Sequence, residues 1–466
     1  MKKIALCVLP AALLLAGCVN SADQSSVGVN DDPDILESIQ KKYDDLPWEY
    51  SGEETTITMC HWDSAGRNVE QAVINAMLKG FNNRYPNIHV ELEILGEYEG
   101  TYGNNISANN VHDVFLVPDG VFGSWASTKK LVNLDPYVQS SEILDVSSIY
   151  ETALTRYQFN YGASRPGEGN QLALPKDIGP YVMYYNADIF EQMSVDLPPS
   201  DRIMTIEEAT SMWQALTKTD SKGDITCYGV GGLPIEGLVW SAGGDFLNET
   251  RDAFPTDEKT LAGLKKGYQY MQDAYFEYKV QPPSEFTGSS DPSTLFSMQR
   301  VATYIGGRYN VTSFKELDFN WNVCYVPSFS ENPTKNMYSG SVGYAMYSGC
   351  KNKEAAWKLI EYISSREGQE ILSSTGFQIP VYGDLALSDD VVEREETLYP
   401  GLNYEVFVKS AETQSYGLWQ YRNNQQWKTL GYDTTSEYLY HKDPEKRWTV
   451  EYFLEQAKSK VNANLY

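Results

Sequence analysis

The chain has 466 residues, of which 63 are acidic and 37 basic, so its formal net charge is −26. A surface this acidic repels phosphate backbones, and the composition therefore excludes nucleic-acid binding. Aromatic residues make up 13% of the chain, with 34 Tyr and 10 Trp, and such side chains suit recognition surfaces as well as cores.

The N-terminus has the pattern of an export signal. Two lysines precede the apolar run Ile4 to Leu15, which is shorter than the roughly 20 residues that span a bilayer. The run ends at Leu-Ala-Gly-Cys, which resembles the lipobox of bacterial lipoproteins. This resemblance implies a signal peptide at 1–17, a lipid (diacylglycerol and palmitate) on Cys18, and a mature chain held outside the cytoplasm on the cell membrane. Residues 18–47 are predicted to be a flexible tether. An ordinary signal peptide is the alternative.

Strands and helices alternate once the folded region opens at Thr55. Strand patterns at 55–62 and 88–94 flank a helical pattern over 69–85, and a third strand pattern covers 112–117. Strand, helix and strand at this spacing predict βαβ units and a parallel sheet. The fold class is therefore predicted to be α/β.

The rest of the chain continues in the same mixed pattern. Thr205 and Glu208 have the spacing of a capping box at the start of one helix. The stretch from 404 to 466 is predicted to be mainly helical. The other predicted helices are 147–157, 205–217, 261–275, 352–365 and 366–374, and the other predicted strands are 180–186, 319–327 and 341–347.

Motifs for catalysis or metal binding are missing. Cys60, Cys227, Cys324 and Cys350 form no CxxC pair, so buried free thiols are predicted, with one disulfide as an open alternative. HExxH, GxSxG and the Walker A motif are also missing. No cofactor, no metal and no catalytic residue are therefore predicted. Carboxylates are abundant, so a secreted glycoside hydrolase stays open as an alternative.

Six ordered segments carry a family resemblance. They are Trp62 with the helix and strand ending Phe81-x-x-x-Tyr85-Pro86-x-Ile88-x-Val90, His112 to Val117 with Asp119, Leu131 to Asp135, Ala173 to Phe190, Phe296 to Tyr309, and Ser341 to Tyr344 with Lys353 to Ile363. In this order they resemble the extracellular solute-binding proteins of ABC importers. The resemblance is to family 1, the carbohydrate binders related to maltose-binding protein, and it covers about 55–382.

The resemblance implies a two-lobed periplasmic-binding-protein type II fold, with a hinge and an interlobe ligand cleft. Lobe one would hold 50–183 and 324–363, and lobe two 187–322 and 366–466, with crossings near 184–185, 323–327 and 364–365. It also implies the function. The chain would be a monomeric, non-enzymatic subunit that captures a carbohydrate, namely an oligosaccharide, and delivers it to the membrane permease of an ABC transporter. A binding protein for a peptide, polyamine or metal chelate is the alternative.

The resemblance and the chemistry of sugars together select candidate site residues. Sugars need carboxylates and amides for their hydroxyls and flat aromatic faces for their C–H surfaces. Trp240 is predicted to stack on the sugar, with core packing as its alternative. The predicted ligand-binding residues are Trp62, Asp63, Asp119, Asp177, Tyr181, Trp240, Gly307, Arg308, Tyr309, Ser341, Trp419 and Trp427.

Overall fold

The computed structural model describes residues 33–63, 69–288, 290–333, 335–413, 417, 421 and 425–465. The predicted signal peptide, Cys18, the first part of the tether and Trp419 lie outside the described residues. Within the described ranges, no helix is both long enough and apolar enough to cross a membrane.

Fourteen strands lie in the described part of the chain and form two main sheets and one small sheet. They are β1 (Thr55–Trp62), β2 (Ile88–Leu95), β3 (Val114–Pro118), β4 (Gln158–Asn160), β5 (Arg165–Pro166), β6 (Asn170–Gln171), β7 (Ala173–Pro175), β8 (Gly179–Asn186), β9 (Lys218–Thr219), β10 (Ile225–Gly231), β11 (Val301–Gly307), β12 (Trp321–Cys324), β13 (Ser339–Gly340) and β14 (Val342–Met346).

One α-helix of the described residues precedes these strands, and the others connect the strands or follow the last of them. They are α1 (Pro33–Lys41), α2 (Val69–Arg84), α3 (Tyr98–Ala108), α4 (Asp119–Ser127), α5 (Asp135–Ser140), α6 (Glu151–Thr155), α7 (Ala187–Met193), α8 (Ile206–Leu216), α9 (Ile235–Ser241), α10 (Glu258–Phe276), α11 (Ser284–Thr287), α12 (Pro292–Ser297), α13 (Val311–Phe314), α14 (Lys353–Ser364), α15 (Arg366–Ser373), α16 (Gly383–Ala386), α17 (Asp389–Leu398), α18 (Tyr404–Thr413), α19 (Gln426–Lys428), α20 (Thr434–Leu439) and α21 (Val450–Ala463).

The first sheet has the strand order β2-β1-β3-β14-β7. β1 pairs in parallel with β2 and β3, whereas β14 runs antiparallel to β3 and β7. Val73, Met77 and Phe81 of α2 are buried in the core of this sheet, at the four-residue steps of an amphipathic helix. The β1-α2-β2 unit confirms the predicted βαβ connection and parallel pairing.

The second sheet has the order β12-β8-β11-β10-β9, and β13 pairs with β8. β10 and β11 are parallel, and β8 runs antiparallel to β11, β12 and β13. The predicted capping box is present at α8, where Thr205 and Glu208 each bond the other's backbone N–H. The described C-terminal part, α18 to α21, is helical as predicted, and α21 helps to enclose a separate aromatic core.

The chain passes between the sheets in three places. β7 ends at Pro175 and β8 begins at Gly179, while Ser341 alone separates β13 from β14. In the third crossing Phe377 packs in the core of the first sheet and Ile379 in a core of the second. These crossings are adjacent, because Ser341 Oγ donates to the carbonyl of Asp177 at 2.8 Å and Ile178 N donates to the carbonyl of Ile379 at 3.3 Å.

The predicted crossings near 184–185, 323–327 and 364–365 are therefore misplaced. β8 and β12 belong wholly to the second sheet because their pairing partners are there. α15 packs on α2 and α1 beside the first sheet, although it was assigned to lobe two. Strand and helix patterns do not state which sheet an element joins, so we propose lobe boundaries at 176–178, 341 and 374–378 instead.

The folded body begins earlier than the predicted tether allows. α1 packs beside α2 and α15, and Gln40 Nε2 donates to Glu367 Oε1 at 2.7 Å. Arg84 forms an ion pair with the same buried carboxylate at 2.9 Å. The ring of Trp48 meets that of Tyr362 edge-on at 5.6 Å. Residues 33–48 thus pack on the first lobe. The predicted tether is therefore restricted to residues 18–32.

All four cysteines within the described ranges are buried and free, which confirms the predicted thiols.

Candidate functional site

A cleft of about 500 Å³ lies between the lobes, beside the crossing segments. β1 ends at Trp62 and β3 at Pro118, so the carboxyl ends of two parallel strands point residues into it. Seven of the twelve predicted residues line this cleft. They are Trp62, Asp119, Asp177, Tyr181, Arg308, Tyr309 and Ser341.

Three tyrosines form the aromatic wall on the side of the second lobe. The ring of Tyr181 meets that of Tyr338 edge-on, with centroids 5.5 Å apart, and that of Tyr309 at 6.5 Å. The Tyr309 side chain is about half exposed. Gly307 does not line the cleft but makes this wall possible, since a Cβ there would lie 2.5 Å from the ring of Tyr309 and 3.2 Å from that of Tyr181.

Trp62 contributes the aromatic face on the side of the first lobe. It is partly buried at the end of β1, and its ring contacts that of Tyr98 edge-on at 6.0 Å. The cleft therefore offers ring surfaces from both lobes. Asp63 follows Trp62 directly but is not among the residues that line the cleft.

Asp119 belongs to a buried polar network at the base of the cleft. Its Oδ2 accepts from Arg156 Nη1 at 2.9 Å, and both carboxylate oxygens accept from the hydroxyl of Tyr338 at 3.0–3.1 Å. Arg156 Nη2 also donates to Ser339 Oγ at 2.8 Å, so Arg156 joins the start of α4, directly after β3 of one sheet, to β13 of the other. Burial raises the pKa of Asp119 above its ordinary value, against the opposing effect of Arg156.

Lys176 anchors a second network beneath the crossing segments. It is fully buried and lies 3.1 Å from Glu70 Oε1 and 3.4 Å from Asp177 Oδ2. Gln378 Nε2 donates to Asp177 Oδ2 at 2.8 Å and so ties in the third crossing. Burial alone would lower the pKa of Lys176, but the two carboxylates raise it above its ordinary value. The lysine thus remains charged and holds the crossings together.

The guanidinium of Arg308 bonds groups outside the cleft. Its Nη2 bonds Glu395 Oε2 at 2.5 Å and the carbonyl of Gly376 at 2.8 Å. The rings of Tyr399, Tyr404 and Phe407 surround the guanidinium at 5.0–5.4 Å. Arg308 therefore borders the cleft while its charge is bound to a buried carboxylate.

The predicted roles of Trp240 and Trp427 are wrong in this structure. Trp240 is 3% exposed, and its indole N–H donates to the hydroxyl of Tyr421 at 3.1 Å. Trp427 is fully buried against Tyr421 and Tyr432. Both pack in the aromatic core near α21, away from the residues that line the cleft, so core packing, the alternative given for Trp240, describes both residues.

A second cavity of about 420 Å³ adjoins the first. Asp119, Tyr181 and Tyr338 line both cavities, and Glu236 and Lys428 are among the residues that line only the second. Together they form one elongated cleft along the junction of the lobes.

Sequence reasoning missed several residues of the site. The most important are Tyr338, Arg156, Lys176, Gln378 and Glu99. Tyr338 lies close to one crossing segment and Gln378 lies in another, and the predicted crossings were at other positions, so a correctly placed hinge would have indicated both residues. The partners Arg156 and Lys176 meet their carboxylates across separations of 37 and 106 residues, and no local pattern predicts such pairs.

Low pH should weaken the fold through His61. Burial, with a further contribution from Lys176, lowers the pKa of His61 to about 3, whereas an unfolded histidine titrates near 6.5. The unfolded chain then binds more protons between these values, so stability falls as pH falls through that window, by roughly 1 kcal/mol per pH unit. In urea unfolding, the free energy of unfolding of wild type should fall relative to that of His61→Asn as the pH is lowered from 6.5 to 4. A constant difference would contradict this assignment.

Comparisons with known proteins place the chain in a family. Residues 65–370 match the family described as bacterial extracellular solute-binding protein. A putative binding protein of Brucella abortus (strain 2308) is 23% identical over 244 residues, or 49% of this chain and 55% of that protein. The galactooligosaccharide-binding protein of Bacillus subtilis is 21% identical over 263 residues, 54% of this chain and 57% of that protein. The chain thus spans about half the length of these curated relatives.

The fold also matches solved structures. An ABC substrate-binding protein of Listeria monocytogenes, in complex with cycloalternan, superposes with a TM-score of 0.70 at 17% identity, covering 88% of this chain and 99% of that one. This likeness confirms the predicted two-lobed α/β fold of the periplasmic-binding-protein type II class.

Proposed function

This chain belongs to the bacterial extracellular solute-binding protein family, and from that premise we propose that it is the carbohydrate-binding subunit of an ABC importer. The observation that carries the proposal is the cleft itself, in which Trp62 of one lobe and three tyrosines of the other face a common space beside buried carboxylates. Aromatic faces cover the C–H surfaces of sugar rings, and carboxylates accept from their hydroxyls.

The ligand is proposed to be an oligosaccharide. The two cavities, of about 500 and 420 Å³, share Asp119, Tyr181 and Tyr338 and so form a continuous path. A single small solute would fill only part of such a space. The relatives named for galactooligosaccharide and cycloalternan support the same class of ligand.

Capture is proposed to occur by closure of the lobes. The three crossing segments lie side by side at 176–178, 341 and 374–378, and such short connections absorb the rotation of a hinge. Sugar held between Trp62 and Tyr181 would favour the closed form because only that form contacts it from both sides. The closed form would then deliver its ligand to the membrane permease.

The lipid anchor is also a proposal. The Leu-Ala-Gly-Cys pattern at Cys18 supports it, and the family is extracellular by description. A Cys18→Ala chain should leave the membrane fraction, whereas wild type stays there. Retention of the variant in washed membranes would contradict lipidation at this residue.

A thermal-shift screen tests the proposed function. Residues 19–466, which contain every described residue, would be screened against neutral glycan oligomers, peptides, polyamines and divalent metals. A ligand at 100 times its dissociation constant adds about 2.7 kcal/mol to the free energy of unfolding, which gives a clear shift. A shift with one glycan series supports the proposal. A shift only with peptide, polyamine or metal would keep the fold and overturn the proposed ligand.

A further inference from the structure

Three side chains of the kinds that bind metals meet on the first sheet, outside the cleft. Cys60 of β1, Glu93 of β2 and His112, just before β3, bring a thiol sulfur, a carboxylate oxygen and an imidazole nitrogen within 4.8 Å of one another. His112 Nε2 lies 2.9 Å from Glu93 Oε2. None of the three residues lines either of the described cavities. The cluster is therefore separate from the proposed sugar site.

The pairing of the strands creates this cluster. Cys60 and Glu93 are direct partners in the parallel pair of β1 and β2, so their side chains stand on the same face of the sheet. His112 precedes β3, which pairs with β1 on its other side. The three residues are far apart in the sequence and match no local metal motif, because the register of the sheet alone brings them together.

Tyr102 of α3 fixes the ring of His112. The backbone N–H of His112 donates to the Tyr102 hydroxyl at 3.1 Å, and its Nδ1 lies 3.3 Å from the same oxygen. The two rings also stack, with centroids 5.9 Å apart. The contact at Nδ1 leaves Nε2 facing Glu93. Histidines that bind metals are commonly oriented in this way, by a hydrogen bond at the ring nitrogen that does not touch the ion.

The cluster combines a buried thiol with a carboxylate that solvent reaches. Cys60 is fully buried, whereas the side chains of His112 and Glu93 are 18% and 53% exposed. An ion can therefore enter beside Glu93 and keep a water molecule on its outer side. Burial and the charge of Glu93 raise the pKa of the Cys60 thiol to about 12. The thiol is thus protonated in the metal-free chain and releases its proton to solvent when it binds an ion.

The donor set favours Zn²⁺ over the harder divalent ions. Zinc binds thiolate, imidazole and carboxylate at about 2.0–2.3 Å, so neighbouring ligand atoms in a tetrahedral site are roughly 3.3–3.8 Å apart. Small rotations of the Glu93 and His112 side chains would give the three atoms this spacing. Ca²⁺ and Mg²⁺ prefer sets made of oxygen alone, which the thiol and the imidazole do not provide.

We propose that Cys60, Glu93 and His112 bind one Zn²⁺, with water as the fourth ligand, at the outer edge of the first lobe. The ion joins β1, β2 and the segment that leads into β3, and it stabilises the first lobe because it binds the folded chain. The inference does not depend on the proposed carbohydrate function, since the three ligands lie outside the described cleft.

A zinc titration of Glu93→Gln tests the site, with Glu91→Gln as its control. Glu91 is exposed on the same face of β2, two residues away, and is not part of the cluster. Metal-free residues 19–466 should bind one zinc ion per chain. The affinity should fall about tenfold or more in Glu93→Gln, since even a residue that only orients a metal ligand contributes that much, and it should be unchanged in Glu91→Gln. Absence of zinc binding by wild type, or equal affinities in all three chains, would overturn the proposal.

Cobalt tests whether the thiol is a ligand. Co²⁺ bound to a thiolate gives a charge-transfer absorption in the near ultraviolet, which oxygen and nitrogen ligands do not give. Cys227 is a buried free thiol of the second lobe and supplies the control. The absorption should appear in wild type and in Cys227→Ala and be lost in Cys60→Ala. Its persistence in Cys60→Ala would overturn the assignment. The exposed substitution Glu93→Gln keeps the test decisive if Cys60→Ala does not fold.

The melting temperature separates this site from the cleft. Zinc should raise the melting temperature of wild type but not that of Glu93→Gln. A glycan that binds in the cleft should raise both equally. A zinc-induced rise of the same size in both chains would place the metal elsewhere and overturn the proposed site.

Discussion

Replacing Trp62 with alanine should weaken glycan binding about 30-fold or more while the chain stays folded. Trp62 is partly exposed, lines the cleft and packs against the first core without being one of its buried residues. Aromatic residues at the centre of a binding surface commonly contribute 2 kcal/mol or more when truncated. Calorimetric titration with the glycan selected by thermal shift measures the loss, and circular dichroism checks the fold.

Trp240→Ala is the matched control for Trp62→Ala. Trp240 is buried in the aromatic core and donates a hydrogen bond to Tyr421. Its removal should cost about 3–5 kcal/mol of stability, because truncation of a buried Trp leaves a cavity. The folded fraction should still bind glycan with near wild-type affinity. The assignment of both residues fails if Trp240→Ala loses affinity while Trp62→Ala keeps it.

Replacing Arg156 with methionine should lower the free energy of unfolding by about 3–5 kcal/mol. The change leaves the carboxylate of Asp119 buried without its cation, and it also removes the bond to Ser339 of the other sheet. Urea unfolding followed by tryptophan fluorescence measures the effect. The double variant Arg156→Met, Asp119→Asn should recover part of the loss, since it removes the buried charge as well as its partner.

Arg202→Met provides the surface comparison for Arg156→Met. Arg202 pairs with Glu208 at 2.9 Å, but both side chains are exposed. Solvent screens such a pair, so its loss should change stability far less than the loss of Arg156. Equal effects of the two substitutions would show that the network around Asp119 is not a main support of the junction.

Local patterns were sufficient where one element decides its own structure. The periodic burial of α2 and the capping box of α8 follow from spacing along the chain, and both are present. The ends of β1 and β3 likewise placed Trp62 and Asp119 at the cleft, because strand ends in a parallel sheet meet at one edge.

Local patterns were insufficient where segments far apart in the chain determine the position of an element or a side chain. β8 reads as a strand from its sequence, but only its pairing with β11 and β12 places it in the second sheet. Trp240 lies in an apolar segment ending in Gly243-Gly244, which fits a ligand loop and a core helix equally well. Its partner Tyr421 is 181 residues away, so the core that encloses it is set by the tertiary fold alone.

A crystal structure of the chain with the glycan that gives the largest thermal shift tests the central claim most directly. We expect the sugar between Trp62 and the ring of Tyr181, with its hydroxyls near Asp119 and Asp177. We also expect the bound sugar to contact both lobes. A glycan bound on one lobe alone, or on a surface outside the cleft, would contradict the account.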